Sequence, residues 1–152
     1  MFTNKIIYFF LLILFSHKLL SNDSYKITIM GKFAGETLQL PNEGKFNAFK
    51  ADAAFSDSDG NFGDAIGRGV RETDRSNKII NSYMVLVFKS SEGSTMLARP
   101  TRSESDIQAG AGNFVILHAT GVFKEYLQYK CKYAISTSDT GAFIQENICK
   151  KN

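Results

Sequence analysis

Residues Phe62 to Val70, FGDAIGRGV, read as a strand in which one face holds nothing larger than alanine. Phe62, Ile66 and Val70 share one parity, while Gly63, Ala65, Gly67 and Gly69 occupy the other. Glycine inside a strand gives up packing and backbone entropy, so it marks a bend, a bulge or the close approach of another group. Repeated along one face, it suits a sheet that curves tightly enough to close. A flexible edge strand is the alternative reading of the same residues.

The rest of the chain supports closure. YKITIMG alternates Tyr25, Ile27 and Ile29 against Lys26, Thr28 and Met30. FNAFKADAAF places Phe49, Ala51, Ala53 and Phe55 on one face, with Lys50 and Asp52 on the other. SYMVLVF is apolar on both faces, and EYLQYKCKYAIS alternates Leu127, Tyr129, Cys131, Tyr133 and Ile135 with polar residues. Clusters such as SDSDGNFGD, KSSEGS and TSDTG separate these runs and supply turn chemistry. Eight or nine short strands with no long helix, no linker and no repeat predict an all-β fold. An antiparallel eight-stranded barrel accounts for it best, because closure leaves no exposed edges. A two-sheet β-sandwich is the alternative.

The first residues read differently. Lys5 precedes the apolar run Ile6 to Phe15, and small residues follow at Ser16 and Ser21. A basic start, a short apolar segment and a small-residue exit are the marks of a secretory signal peptide. The run is too short for a spanning helix, which needs about 20 apolar residues, so an N-terminal anchor is the weaker reading. Residues 1–21 are therefore expected to be a signal peptide and 22–152 a single β-barrel domain. The protein is then secreted or periplasmic, with no membrane segment after cleavage. Loss of Lys5 and Lys18 lowers the 18 basic residues to 16 against 15 acidic ones, so the formal charge drops from +3 to +1. No basic stripe is evident, which argues against a nucleic-acid partner.

Cys131 and Cys149 lie symmetrically about Thr140 in the TSDTG turn, so a hairpin centred there sets them face to face. In an oxidising compartment such a pair reads as a disulfide, stabilising by about 3 kcal/mol through loop closure. The same register sets Asn147 opposite Tyr133 and Gln145 opposite Ile135, leaving Ile144 and Ile148 on the other face. Either a bulge shifts the return strand or both of its faces are partly buried.

Chemistry-bearing residues are few. His118 is the one histidine beyond the signal segment, and nothing sets a serine and an acid beside it. Asp57, Asp59 and Asn61 have the spacing of a calcium loop, followed by Asp64. Phe62 stands where the loop needs glycine, though, and Arg68 where it needs a bidentate Glu. No metal site or cofactor is read from the chain. Tyr129 and Tyr133 on one strand, with Phe49 and Phe55 on another, are the residues expected to line a ligand cavity if the barrel is hollow. In a filled barrel the same aromatics form the core.

GAGNFVILHATGVF, with Gly110, Gly112, Phe114, Gly121 and Phe123, resembles the glycine-rich turn and strand of secreted β-barrels of the allene oxide cyclase and dirigent type. DSDGNFGDAIGRG is similar to the hairpin that such proteins set before a small-residue strand. The resemblance covers about residues 45–149. It implies an eight-stranded barrel with an apolar interior, often oligomeric. One branch holds a fatty-acid epoxide there, and the other holds phenolic radicals. No catalytic residue of either branch is carried onto a position here, and VILH replaces the small residue usual in the middle of the motif. The stretch itself reads as a buried strand between two glycine turns.

Three functions follow in order. The first is a barrel binding a small apolar or phenolic molecule in a cavity of roughly a few hundred Å³. The second is a filled barrel working through its outer surface or as a homo-oligomer, since YMVLVF and FVIL leave apolar residues on outer faces. The third is an isomerase or cyclase, for which the chain offers no evident acid or base; catalytic residues are expected to be none.

Overall fold

A computed structural model describes residues 24–151 apart from 42, 103, 104 and 107. The expected signal segment, 1–21, lies outside the described residues. Strands run in chain order as β1 (Ser24–Gln39), β2 (Lys45–Asp57), β3 (Phe62–Thr73), β4 (Lys78–Ser90), β5 (Thr95–Thr101), β6 (Ser105–Asp106), β7 (Ala109–Ala119), β8 (Tyr129–Thr137) and β9 (Ala142–Lys151). Each long strand pairs antiparallel with the next, and β9 returns to pair with β1 from Ser24–Lys150 to Lys32–Ala142. Closure makes an eight-stranded up-and-down barrel; the two residues of β6 add a rung on β4. No sandwich forms.

The hairpin turns follow one recipe. In Asp57–Asn61, Ser90–Ser94 and Ser138–Ala142 the first N–H donates to the last carbonyl, and a glycine in the left-handed region precedes the return strand. Gly60 and Gly141 take φ near +88° and +82°, the geometry of a type I turn closed by a bulge. Asn77 holds the equivalent position at φ 62° between β3 and β4. Asp74 fixes that loop by accepting from the Ser76 and Lys78 N–H groups through Oδ1 at 2.8 and 2.9 Å.

An interior of eight strands is just wide enough for side chains to fill. Ile27 and Ile29 of β1, Ala51 and Phe55 of β2, Leu86 and Phe88 of β4, Phe114 of β7 and Phe143 of β9 point inward and are buried. Phe88 meets Phe55 and Phe114 edge to face, at 5.2 and 6.0 Å between centroids. Each such ring contributes about 1.5–3 kcal/mol by leaving water. A 3₁₀ helix, Gly121–Gln128, then closes one end, the floor. Residues three apart eclipse in such a helix, so Phe123 and Tyr126 both insert into the barrel.

This crowding decides the orientation of β3. Ala65 and Gly67 are buried with Gly63 and Gly69 beside them, while Phe62, Ile66 and Val70 face out, 39–60% exposed. A Cβ on Gly67 would collide with the Met84 and Leu86 side chains, and one on Gly69 with the Phe49 ring. The small face is therefore the inner one, occupied by its neighbours' bulk.

The return hairpin keeps the register set by the cysteines, with no bulge. Cys131 is bonded to Cys149 directly across the ladder. Gln145 and Asn147 face inward and are buried, whereas Ile144 and Ile148 remain 43 and 45% exposed outside. The two amides satisfy each other: Gln145 Nε2 donates to Asn147 Oδ1 at 2.8 Å, and Asn147 Nδ2 donates to the Ile27 carbonyl at 3.0 Å.

Two readings of local structure are corrected. Gly110 and Gly112 lie within β7 rather than in a turn before it. Residues 125–128 belong to the 3₁₀ helix, so Leu127 is not part of β8.

Candidate functional site

The four aromatics expected to line one chamber do not converge. Phe55 is core, against Phe88 and Phe123. Tyr133 and Phe49 reach the upper interior, the mouth, where the free space amounts to about 40 Å³. That is well below the roughly 300–1,000 Å³ of small-molecule sites. Tyr129 sits near the floor, packed edge to face on Tyr126 at 5.4 Å.

At the floor, Tyr25 and Tyr126 donate to the Asp57–Asn61 loop. Tyr25 Oη donates to Asp57 Oδ2 at 2.7 Å, and Tyr126 Oη donates to Asp59. Asp57 also accepts from the Asp59 and Asn61 backbone N–H groups and from Asn61 Nδ2. These carboxylates are spent on fixing a hairpin, and Asp64 points outward from β3. Among the described residues no three His, Cys, Asp or Glu side chains gather as metal ligands. His118 is exposed on the outside of β7, opposite Leu97.

The large concavity is in the barrel wall. β7 pairs with β8 only from Ala109–Ser136 to Phe114–Cys131, and below Phe114 it pairs with β5 alone. The 3₁₀ helix bridges the divergence, and a groove of about 910 Å³ opens between β7 and the β8–β9 hairpin. Val115, Tyr129 and Ile148 supply its apolar surface, over the buried Phe114 and Cys131. Arg99, Lys130, Lys132, Lys150 and Lys151 line it too, and no Asp or Glu is among its lining residues.

Two features of this rim run against stability. Lys130 and Lys150 are direct cross-strand partners, and like charges placed opposite each other destabilise a sheet. Arg99 Nε is buried without a hydrogen-bond partner among the described residues, where an unmet donor costs about 1–3 kcal/mol. The chain as a string shows no basic stripe. Two strands and β5 create one, because lysines separated by 20 positions become neighbours across the ladder. Only the doublet Lys150–Lys151 and the alternation of Lys130 with Lys132 hinted at it.

The chain matches no family model, no curated protein and no solved structure.

Proposed function

We propose that this chain is a filled β-barrel working outside the cytosol, which binds an apolar molecule bearing an acidic group in the groove of its wall. The like-charged pair Lys130–Lys150 above an apolar surface carries the reading. An anion between those lysines, reaching Arg99 Nε, turns a repulsive rim into a set of charge-assisted hydrogen bonds. The apolar part then lies on Val115, Tyr129 and Ile148. Tyr129 thus keeps the ligand-lining role read from sequence, on the outer wall rather than in an inner chamber. Location outside the cytosol rests on the expected signal segment and on the Cys131–Cys149 bond, a kind that persists in oxidising compartments. Among the described residues, no helix is long and apolar enough to cross a membrane.

Calorimetric titration with dodecanoate and, separately, with dodecyltrimethylammonium tests it below micellar concentrations. Saturable binding of the anion alone, weakened when Arg99 and Lys132 are both replaced by Met, is the expected result. Equal binding of both chains, or of neither, refutes the reading.

Self-association is a second reading, favoured by a separate observation. Ile66 faces Val87 and Val70 faces Tyr83 across the outer side of β3 and β4, all four at least 39% exposed. Val70→Lys is expected to turn a dimer or higher oligomer into a monomer by sedimentation, and a wild-type monomer at high concentration ends this reading.

A further inference from the structure

We propose that the mouth of the barrel is a second, separate site, which holds a small oxyanion of carboxylate or phosphate size on Arg71. Four buried side-chain polar atoms lack a hydrogen-bond partner among the described residues, and three of them belong to the mouth: Arg71 Nε, Asn47 Nδ2 and Thr73 Oγ1. Asn47 and Arg71 are direct cross-strand partners, and Thr73 lies two residues beyond Arg71 on the same face of β3. Buried polar groups are nearly always satisfied, and Asn47 and Arg71 line one space of about 110 Å³, so their two orphaned nitrogens call for a common partner. Both nitrogens are donors. The partner is therefore an acceptor.

The surroundings fix its charge. Asn47 Oδ1 already accepts from the Thr37 hydroxyl at 2.7 Å, which leaves the amide nitrogen as the group offered to the site. The Arg71 guanidinium stands over the Phe49 ring at 5.5 Å, which holds its plane. Arg102, whose Nη2 donates to the Ala109 carbonyl at 2.6 Å, lines the same 40 Å³ space, and no carboxylate lines it among the described residues. The space of about 110 Å³ on the Asn47 side of Arg71 is edged by Glu36, an exposed residue. Burial, and then the charge of Arg102, disfavour the Arg71 cation, and an anion relieves both. Space for a few waters, about 10–15 Å³ each, suits one carboxylate or phosphate group. The glycines of β7 permit this arrangement: a Cβ on Gly110 would strike the Arg102 guanidinium, and one on Gly112 the Tyr133 ring.

Nitrogen-15 NMR of the whole protein reads the site directly, with inorganic phosphate and acetate titrated separately at constant ionic strength. The expected result is a saturable shift of the Arg71 Nε–Hε and Asn47 Nδ2 resonances with at least one of the two. Arg71→Met weakens that binding at least about tenfold, read on Asn47, in keeping with loss of a charge-assisted contact. Arg99→Met, in the wall groove, leaves it unchanged, so failure here is distinct from failure of the groove reading. Response to phosphate alone or acetate alone assigns the anion class. Should Arg71→Met not fold, the wild-type titration still decides. Resonances that stay fixed, or drift linearly without saturating, leave water as the partner and overturn the proposal.

Discussion

Tyr25 and Tyr126 stack face to face at the floor, with centroids 3.6 Å apart and planes within 4°, yet their hydroxyls go to different carboxylates of one loop. Tyr25 donates to Asp57 and Tyr126 to Asp59. The pair joins β1, the 3₁₀ helix and the β2–β3 turn, residues a hundred positions apart in sequence. It closes the barrel where no strand can.

That closure is sensitive to alkali. Burial first, and the hydrogen bond to Asp57 second, push the Tyr25 hydroxyl far above its ordinary pKa of 10.0. Tyr126 is raised for the same reasons, through Asp59. In the unfolded chain both ionise near 10, so stability is full below that pH and falls as pH rises above it, by about 1.4 kcal/mol per pH unit for each such tyrosine. Tyrosinate absorbance from these rings is expected to rise only together with loss of the β-sheet circular dichroism. Titration ahead of unfolding would refute the coupling.

Asp57 serves Tyr25 and three donors of its own loop, so Asp57→Ala leaves the buried Tyr25 hydroxyl and the turn's N–H donors unmet. A loss of about 1–3 kcal/mol is expected, against less than about 0.5 kcal/mol for Asp64→Ala on the outer face. Urea unfolding of the two variants measures the difference.

The inward small face of β3 gives a paired test. Gly67→Val forces a Cβ into Met84 and Leu86 and is expected to destabilise by about 1–3 kcal/mol or more. Ile66→Ala, one residue away, removes a half-exposed side chain and changes stability by under about 1 kcal/mol. The opposite order would mean that β3 is turned the other way.

Reducing the Cys131–Cys149 bond, or replacing both residues by Ala, is expected to lower stability by about 3 kcal/mol. Because the barrel closes through β1–β9 backbone pairing while the disulfide joins β8 to β9, the reduced protein is expected to keep its sheet signal at room temperature. Denaturant midpoints with and without reductant report the first, and circular dichroism the second.

Binding in the wall groove is expected to fade with salt, since its rim is exposed lysine screened over about 8–10 Å at ordinary ionic strength. Lys150→Glu, which converts the repulsive Lys130 pair into an attractive one, raises stability slightly while weakening dodecanoate. A variant that gained affinity would place the acidic group elsewhere.

Much of this molecule was legible in its residues. Alternation gave most of the strands, the glycine-containing clusters gave three of their turns, and the symmetry of Cys131 and Cys149 about Thr140 gave a register that the structure keeps to the residue. The glycine and alanine face of β3 read as suited to a curved, closing sheet or as a flexible edge strand, and the sheet closes. The groove was not legible, because Arg99, Lys130 and Lys150 become neighbours only through the pairings of three strands. Nor was the mouth site, since nothing in the string around Arg71 or Asn47 distinguishes a buried side chain from an exposed one.

A period of two sorts residues into two faces and is silent on which face turns inward. By itself the sequence determined an all-β chain of alternating strands, a hairpin register that faces Cys131 with Cys149, and a small-residue face suited to a curved sheet. The tertiary structure decided that Phe62, Ile66 and Val70 face water while Gln145 and Asn147 lie inside. The reason is volume. A closed ring of eight strands has a fixed capacity, and once Phe55, Phe88, Phe114 and Phe123 have taken it, β3 can offer the interior only glycine and alanine. The two inward amides of β9 are accepted because they complete each other's hydrogen bonds and reach the Ile27 carbonyl.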